Sequence, residues 1–132
     1  MDLANSPFFG VLRERLSHLS DRQRLIAENI ANASTPGYVP RDVDSRAFQR
    51  MLEGQGGVRM SRTHTMHMDA SGAPGIDIVS RPDSETTLDG NAVVLEEQSI
   101  RAAETRVNYE TALALYQKGL QLVRLASRAP GR

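Results

Sequence analysis

Cysteine is absent from this chain of 132 residues, so neither a disulfide framework nor a thiolate metal site is open to it. Tryptophan is absent too, and aromatics make up only 5% of the residues. That is thin for an aromatic core and for a platform on which nucleic-acid bases could stack. Net charge is lacking in either direction, because 16 basic side chains balance 16 acidic ones. A strongly basic nucleic-acid binder and an acidic solvating tail are both excluded at the level of net charge, and copies of the chain repel one another little. Lysine is nearly missing, with Lys118 alone among many arginines. No apolar run reaches the roughly 18 residues that a membrane-spanning helix needs. The first ten residues carry no basic stretch leading into an apolar one, and the expectation is a chain without a cleaved secretory signal.

What is present is unevenly placed. Residues 1–33 hold one proline and one glycine, residues 92–132 hold Gly119, Gly131 and Pro130, and all the other glycines and prolines fall in residues 34–91. Two helix-compatible arms therefore flank a middle rich in breakers. The expected fold is mainly α: two long N- and C-terminal helices forming a coiled-coil hairpin, with a long irregular or short-strand middle segment. The expected divisions are an N-terminal coiled-coil helix over 1–34, a Thr-Pro-Gly-Tyr turn and irregular or β middle over 35–91, and a C-terminal coiled-coil helix over 92–132.

Ser6-Pro7 reads as a helix start, a cap residue followed by proline at the first helical position. From there Leu12, Leu16, Leu19, Gln23, Ile26, Ile30 and Ala33 recur at heptad spacing, a narrow seam that needs a partner helix. The last arm follows the turn and cap cluster Asp89-Gly90-Asn91 and runs to about Ser127. Glu96 and Glu97 near its start and Arg124 near its end suit the helix dipole. Ala102, Tyr109, Leu113, Tyr116, Leu120 and Val123 form one seam, interrupted by Arg106. Ala112, Leu115, Gly119, Leu122 and Ala126 form a second stripe. Two stripes exceed what one partner helix buries, so Leu115, Gly119 and Leu122 are expected to contact another subunit. In the middle, Val43, Phe48, Met51 and Leu52 suit a short helix over 43–53. Residues 58–68 alternate as a strand does, and Ile76, Ile78 and Val79 suggest another.

The candidate chemistry is sparse. His64 and His67 stand three apart, but no nearby Cys or Glu completes a metal site. Asp42 and Asp44 alternate with Arg41 and Arg46, a pattern of solvated charges rather than of acid–base catalysis. The glycines of residues 54–57 lack the Lys-Ser/Thr of a phosphate loop, and no nucleophilic motif occurs. The residues point to no enzyme, cofactor or metal.

Residues 28–38 read Glu-Asn-Ile-Ala-Asn-Ala-Ser-Thr-Pro-Gly-Tyr. Physically this is a helix stop: Asn32 and Ser34 can bond nearby backbone, Pro36 pushes Thr35 to an extended conformation, and Pro36-Gly37 suits a type II turn. The same residues resemble the signature of the axial proteins of the bacterial flagellum, the rod, hook and hook-associated family. The matching positions are Asn29, Ile30, Asn32, Thr35, Pro36, Gly37 and Tyr38, with Ser34 where an acidic residue or Asn is usual. Within that family the chain is similar to the proximal rod members. It shares with them its short length, Arg41-Asp42-Val43-Asp44 after the signature, Thr63 and His67 four apart, Leu88-Asp89-Gly90-Asn91 before the second helix, and Asn108-Tyr109 within it. The resemblance implies a structural subunit, exported through the flagellar type III apparatus and polymerising in the periplasm through its terminal helices. It would transmit torque from the membrane ring. The implied partners are further copies, other proximal rod subunits, a basal-body adaptor, the membrane ring and the export apparatus, with no nucleic acid and no small-molecule substrate. The alternative is a helical-hairpin adaptor or regulator of flagellar export that clasps one partner. A nucleic-acid-binding helical protein is disfavoured, because acids match the arginines of the first arm.

Overall fold

The computed structural model describes residues 7–46, 49, 53 and 77–127. Pro7 opens α1 (Pro7–Ala31), where its missing N–H costs no intrahelical hydrogen bond; Ser6 lies outside the described residues. A turn leads to β1 (Arg41–Val43), which pairs antiparallel with β2 (Ile78–Ser80), Arg41 opposite Ser80 and Val43 opposite Ile78. The chain then enters α2 (Leu95–Ser127), with Glu96 and Glu97 in its first turn and Arg124 in its last. The fold is mainly α, two long helices with a two-stranded ribbon packed on α1.

The helices run antiparallel. At one end the Phe9 ring meets Tyr116 edge to face, with centroids 5.5 Å apart; at the other Asn29 bonds Gln98. This register places Leu19 well away from Tyr116, opposite the middle of α2. On α1 the expected seam holds through Leu19 and Ile26 and then turns. Gln23 and Ile30 are exposed, while Leu25 and Asn29 are buried. The turn and β1 cover this end of α1: Asn29 bonds the Arg41 backbone, the Tyr38 hydroxyl and Gln98, which buries it, while Ile30 faces outward.

On α2 the face turned to α1 is Gln98, Ala102, Thr105, Tyr109, Ala112, Tyr116, Gly119 and Val123, all buried or half-buried at alternating steps of four and three. Thr105, rather than Arg106, occupies the polar step. It is fully buried, and its hydroxyl donates to the Arg101 carbonyl at 2.7 Å. Arg106 points to solvent and pairs with Glu110. The expected second stripe divides. Leu115, Leu122 and Ala126 are exposed, whereas Ala112 is buried toward α1. Gly119 sits within the intramolecular contact: a Cβ there would lie 3.0 and 3.1 Å from atoms of the Phe9 ring. Its smallness thus serves the chain's own first helix.

Two further expectations change. Asp89-Gly90-Asn91 does not cap α2, because residues 92–94 lie outside the helix, which begins at Leu95. The cap comes from Asp83, whose Oδ2 accepts the Val94 N–H at 2.8 Å. Val43 belongs to β1, not to a helix, although Ser45 and Arg46 are helical. Phe48, Met51, Leu52, the strand expected over 58–68, Ile76, His64 and His67 lie outside the described residues.

Candidate functional site

Asparagine is a poor helix former because its side chain competes for backbone partners. Asn29, two residues before the end of α1, is nevertheless fully buried. Its Nδ2 donates to the Arg41 carbonyl at 2.8 Å and to Gln98 Oε1 at 3.1 Å. Its Oδ1 accepts the Arg41 N–H at 2.9 Å and the Tyr38 hydroxyl at 3.1 Å. A carboxamide has two N–H donors and two oxygen lone pairs, and here each is engaged. One side chain thereby ties α1 to β1, to α2 and to the turn that follows it.

The turn itself is built from the helix stop. The Asn32 N–H and side-chain amide both donate to the Glu28 carbonyl, at 3.1 and 2.8 Å. Thr35 donates to Asn32 twice, from its N–H to the carbonyl at 3.0 Å and from its hydroxyl to Oδ1 at 3.1 Å. The Tyr38 N–H then closes on the Thr35 carbonyl at 3.2 Å, with Gly37 at φ +71°. A positive φ at the third position is the mark of a type II turn and favours glycine.

Residues 87–92 fold onto this turn. The Gly37 N–H donates to the Asp89 carbonyl and the Ala92 N–H to the Tyr38 carbonyl, both at 2.9 Å. Asn91, itself buried, sends its amide to two carbonyls of the helix stop, Asn32 at 2.9 Å and Thr35 at 2.7 Å. Its Oδ1 accepts the Val93 N–H at 2.9 Å. Gly90, at φ +83°, lies so close that a Cβ would be 3.4 Å from the Gly37 Cα. The Thr87 hydroxyl and the Asn91 N–H bond the Asp89 carboxyl and hold it below the usual carboxylate range, although it faces solvent.

Two buried carboxylates brace this junction. Asp83 accepts Gln98 Nε2 and Arg101 Nη1, the latter at 2.6 Å, besides capping α2. Asp42 accepts Arg22 through Nε at 3.0 Å and Nη2 at 3.1 Å, and Arg81 Nη1 at 3.2 Å. Removing one partner from such a buried pair leaves an uncompensated charge, which is why these contacts fix geometry even where their net stabilisation is small.

The structure thus brings together Asn29, Asn32, Thr35, Gly37 and Tyr38 with Asp89, Gly90 and Asn91. Ile30 and Pro36 are exposed beside them, and Tyr109 lies half-buried on the helix seam, about 16 Å along α2 from Gln98. Sequence reasoning missed Gln98 and Asp83, and it placed Asp42 in solvent. Gln98 could have been found by extending the α2 heptad two steps upstream of Thr105. Asp42 and Asp83 carry no local signal, because their side-chain partners are 15 to 39 residues away.

Chemically the site closes a hairpin. Its amides and carboxylates are engaged with backbone or with one another, and among the described residues no group of three His, Cys, Asp or Glu converges as metal ligands. Residues 9–38, which contain most of α1 and the turn, match the family described as Flagella basal body rod protein. Over 110 residues the chain is 33% identical to the flagellar basal body rod protein FlgB of Salmonella typhimurium, covering 78% of this chain and 80% of that one. It is 36% identical to FlgB of Cereibacter sphaeroides over 83% and 84% of the two chains, and 31% identical to that of Escherichia coli over 77% and 79%. The matched span takes in a signature whose residues the fold gathers at one junction, and the chain belongs to the FlgB family of flagellar basal body rod proteins.

Proposed function

We propose that the chain is a structural subunit of the proximal rod, polymerising in the periplasm through its two terminal helices and transmitting torque from the membrane ring. The observation that carries this reading is the outer side of α2. Leu115 and Leu122 are 53% and 57% exposed, and Ile100, Val107 and Leu125 are more exposed still. A helix with one apolar face buried against its partner and another facing water is built for a neighbour. In this reading Leu115 and Leu122 meet other rod subunits or the basal-body adaptor, and the chain reaches the rod through the export apparatus without a cleaved signal. Burying each leucine contributes roughly 1.5–3 kcal/mol. Leu122→Asp therefore abolishes incorporation into basal bodies while export continues and the helix pair of the free chain is unaffected. Normal incorporation and swimming of that strain would place the polymer contact elsewhere.

A further inference from the structure

Asp89-Gly90 is the aspartyl-glycine dipeptide of the junction, a pair with intrinsic covalent reactivity. A glycine nitrogen carries no neighbouring side chain to hinder it, so in a free chain it can attack the preceding aspartyl side chain. The Gly90 nitrogen bonds to Asp89 Cγ, losing its proton while one carboxyl oxygen departs as water, and a five-membered succinimide forms. Water then adds back. Opening at the Asp89 main-chain carbonyl carbon breaks its bond to the Gly90 nitrogen and leaves the backbone running through Cβ and Cγ, an isoaspartate. Opening at Cγ restores aspartate. One water leaves and one returns, with no change in oxidation state.

Each group this reaction needs is held by the fold. The attacking nitrogen is committed, its N–H donating to the Thr87 carbonyl at 2.9 Å. The carboxyl is pinned through Oδ1 by the Thr87 hydroxyl and by the Asn91 N–H at 3.2 Å. The peptide between the two residues is clamped on both sides: the Asp89 carbonyl accepts the Gly37 N–H at 2.9 Å, and Gly90 rests against the Gly37 backbone. Ring closure requires the carboxyl to swing toward the nitrogen and the peptide plane to rotate, and both motions break these bonds. The ionised state favoured by the same contacts also makes the carboxyl a poorer electrophile.

We propose that Asp89-Gly90 is a site of spontaneous isoaspartate formation gated by the docking of residues 32–38 on residues 87–92. While the junction is closed the aspartate is protected; where it opens, the residue isomerises. The product is self-sustaining, because the extra backbone methylene displaces the Asp89 carbonyl from Gly37 and Gly90 from its seat. Isoaspartate at position 89 thus marks chains whose hairpin has been open.

The test ages the purified full-length chain at neutral pH with and without denaturing urea. Isoaspartate is read by enzymatic methyl transfer from S-adenosylmethionine and located by mass spectrometry, and the Ala92 amide, bonded to the Tyr38 carbonyl, reports junction closure by hydrogen exchange in the same samples. A protein that reacts only from its open form reacts in proportion to the open population, so chains with a protected Ala92 amide should isomerise roughly tenfold or more slowly than denatured chains. Asn91→Ala should raise both Ala92 exchange and isoaspartate at position 89 together. Isomerisation at the denatured rate with Ala92 protected would overturn the proposal, and so would an intact Asp89 in chains whose Ala92 exchanges freely.

Discussion

Asn91→Ala tests whether the junction, rather than the helix seam alone, closes the hairpin. The substitution removes three hydrogen bonds of a buried side chain: two donated to the Asn32 and Thr35 carbonyls and one accepted from the Val93 N–H. The two carbonyls each keep a partner, in the N–H groups of Thr35 and Tyr38. Their loss therefore falls near the ordinary net value of a hydrogen bond, about 1 kcal/mol each. The Val93 N–H loses the acceptor that Asn91 supplies, a loss in the range of about 1–3 kcal/mol. The sum is roughly 3–5 kcal/mol, a large share of the 5–15 kcal/mol that stabilises an ordinary domain. Urea denaturation of the full chain followed by helical circular dichroism reads this as a lower midpoint at unchanged slope. Asn91→Asp is the sharper control. It keeps an oxygen facing the Val93 N–H but turns a second oxygen toward two carbonyls, so it should destabilise more than alanine does. A loss below about 0.5 kcal/mol for Asn91→Ala, within the usual range for a surface substitution, would refute the reasoning. So would a higher urea midpoint for the aspartate variant than for the alanine variant.

Gly37→Ala forces a Cβ onto a residue at φ +71° and should cost about 1 kcal/mol; it should impair swimming without lowering the level of unassembled protein, and normal motility would count against the turn's role. Gly119→Leu drives bulk into a site where even a Cβ lies 3.0 Å from the Phe9 ring, so it should destabilise the isolated chain by roughly 1–3 kcal/mol in urea denaturation, an effect that a purely intersubunit position would not show. Burial, followed by the charges of Arg15 and Arg22 and only partly offset by Asp42 and Asp21, holds the His18 imidazole below its usual pKa. Because the folded value lies below the unfolded one of about 6.5, the stabilisation from the neutral ring is present above that pH and is lost as the pH falls; urea midpoints measured from neutral to mildly acidic pH should fall for the wild type and fall less for His18→Gln.

The helices were legible because their signals are local. Proline at the first position, heptad spacing, acids in the first turn of α2 and a basic residue in its last turn each act within a few residues. The glycine turn was legible for the same reason: Pro36-Gly37 specifies its own dihedral angles. Register was not legible, since it depends on Phe9 finding Tyr116 and Asn29 finding Gln98 across the whole chain. Nor was the start of α2. The Asp89-Gly90-Asn91 cluster has the composition of a helix cap, and only the long-range pull of Tyr38 on Ala92 and of Asp83 on Val94 moves the helix start to Leu95. Gly119 reads as a small-residue contact in either context. What decides is which aromatic ring lies over it, and Phe9 is more than a hundred residues away in sequence.

The geometry separates two tasks that the signature residues alone would run together. Asn29, Asn32, Gly37, Asp89, Gly90 and Asn91 direct their hydrogen bonds inward, at one another and at the backbone of the same junction. Closing it brings residues 37 and 89 together across a connection of some fifty residues. The entropic cost of such closure grows only as the logarithm of loop length, about 0.6 kcal/mol for each doubling. The clasp of Asn91 alone outweighs a doubling several-fold. The hairpin is therefore set by its junction and is nearly indifferent to how much chain lies between β1 and β2. The outward leucines, Leu115, Leu122 and Leu125, contribute nothing to that closure. Side chains on the outer face of α2 can thus be exchanged while the hairpin beneath keeps its shape.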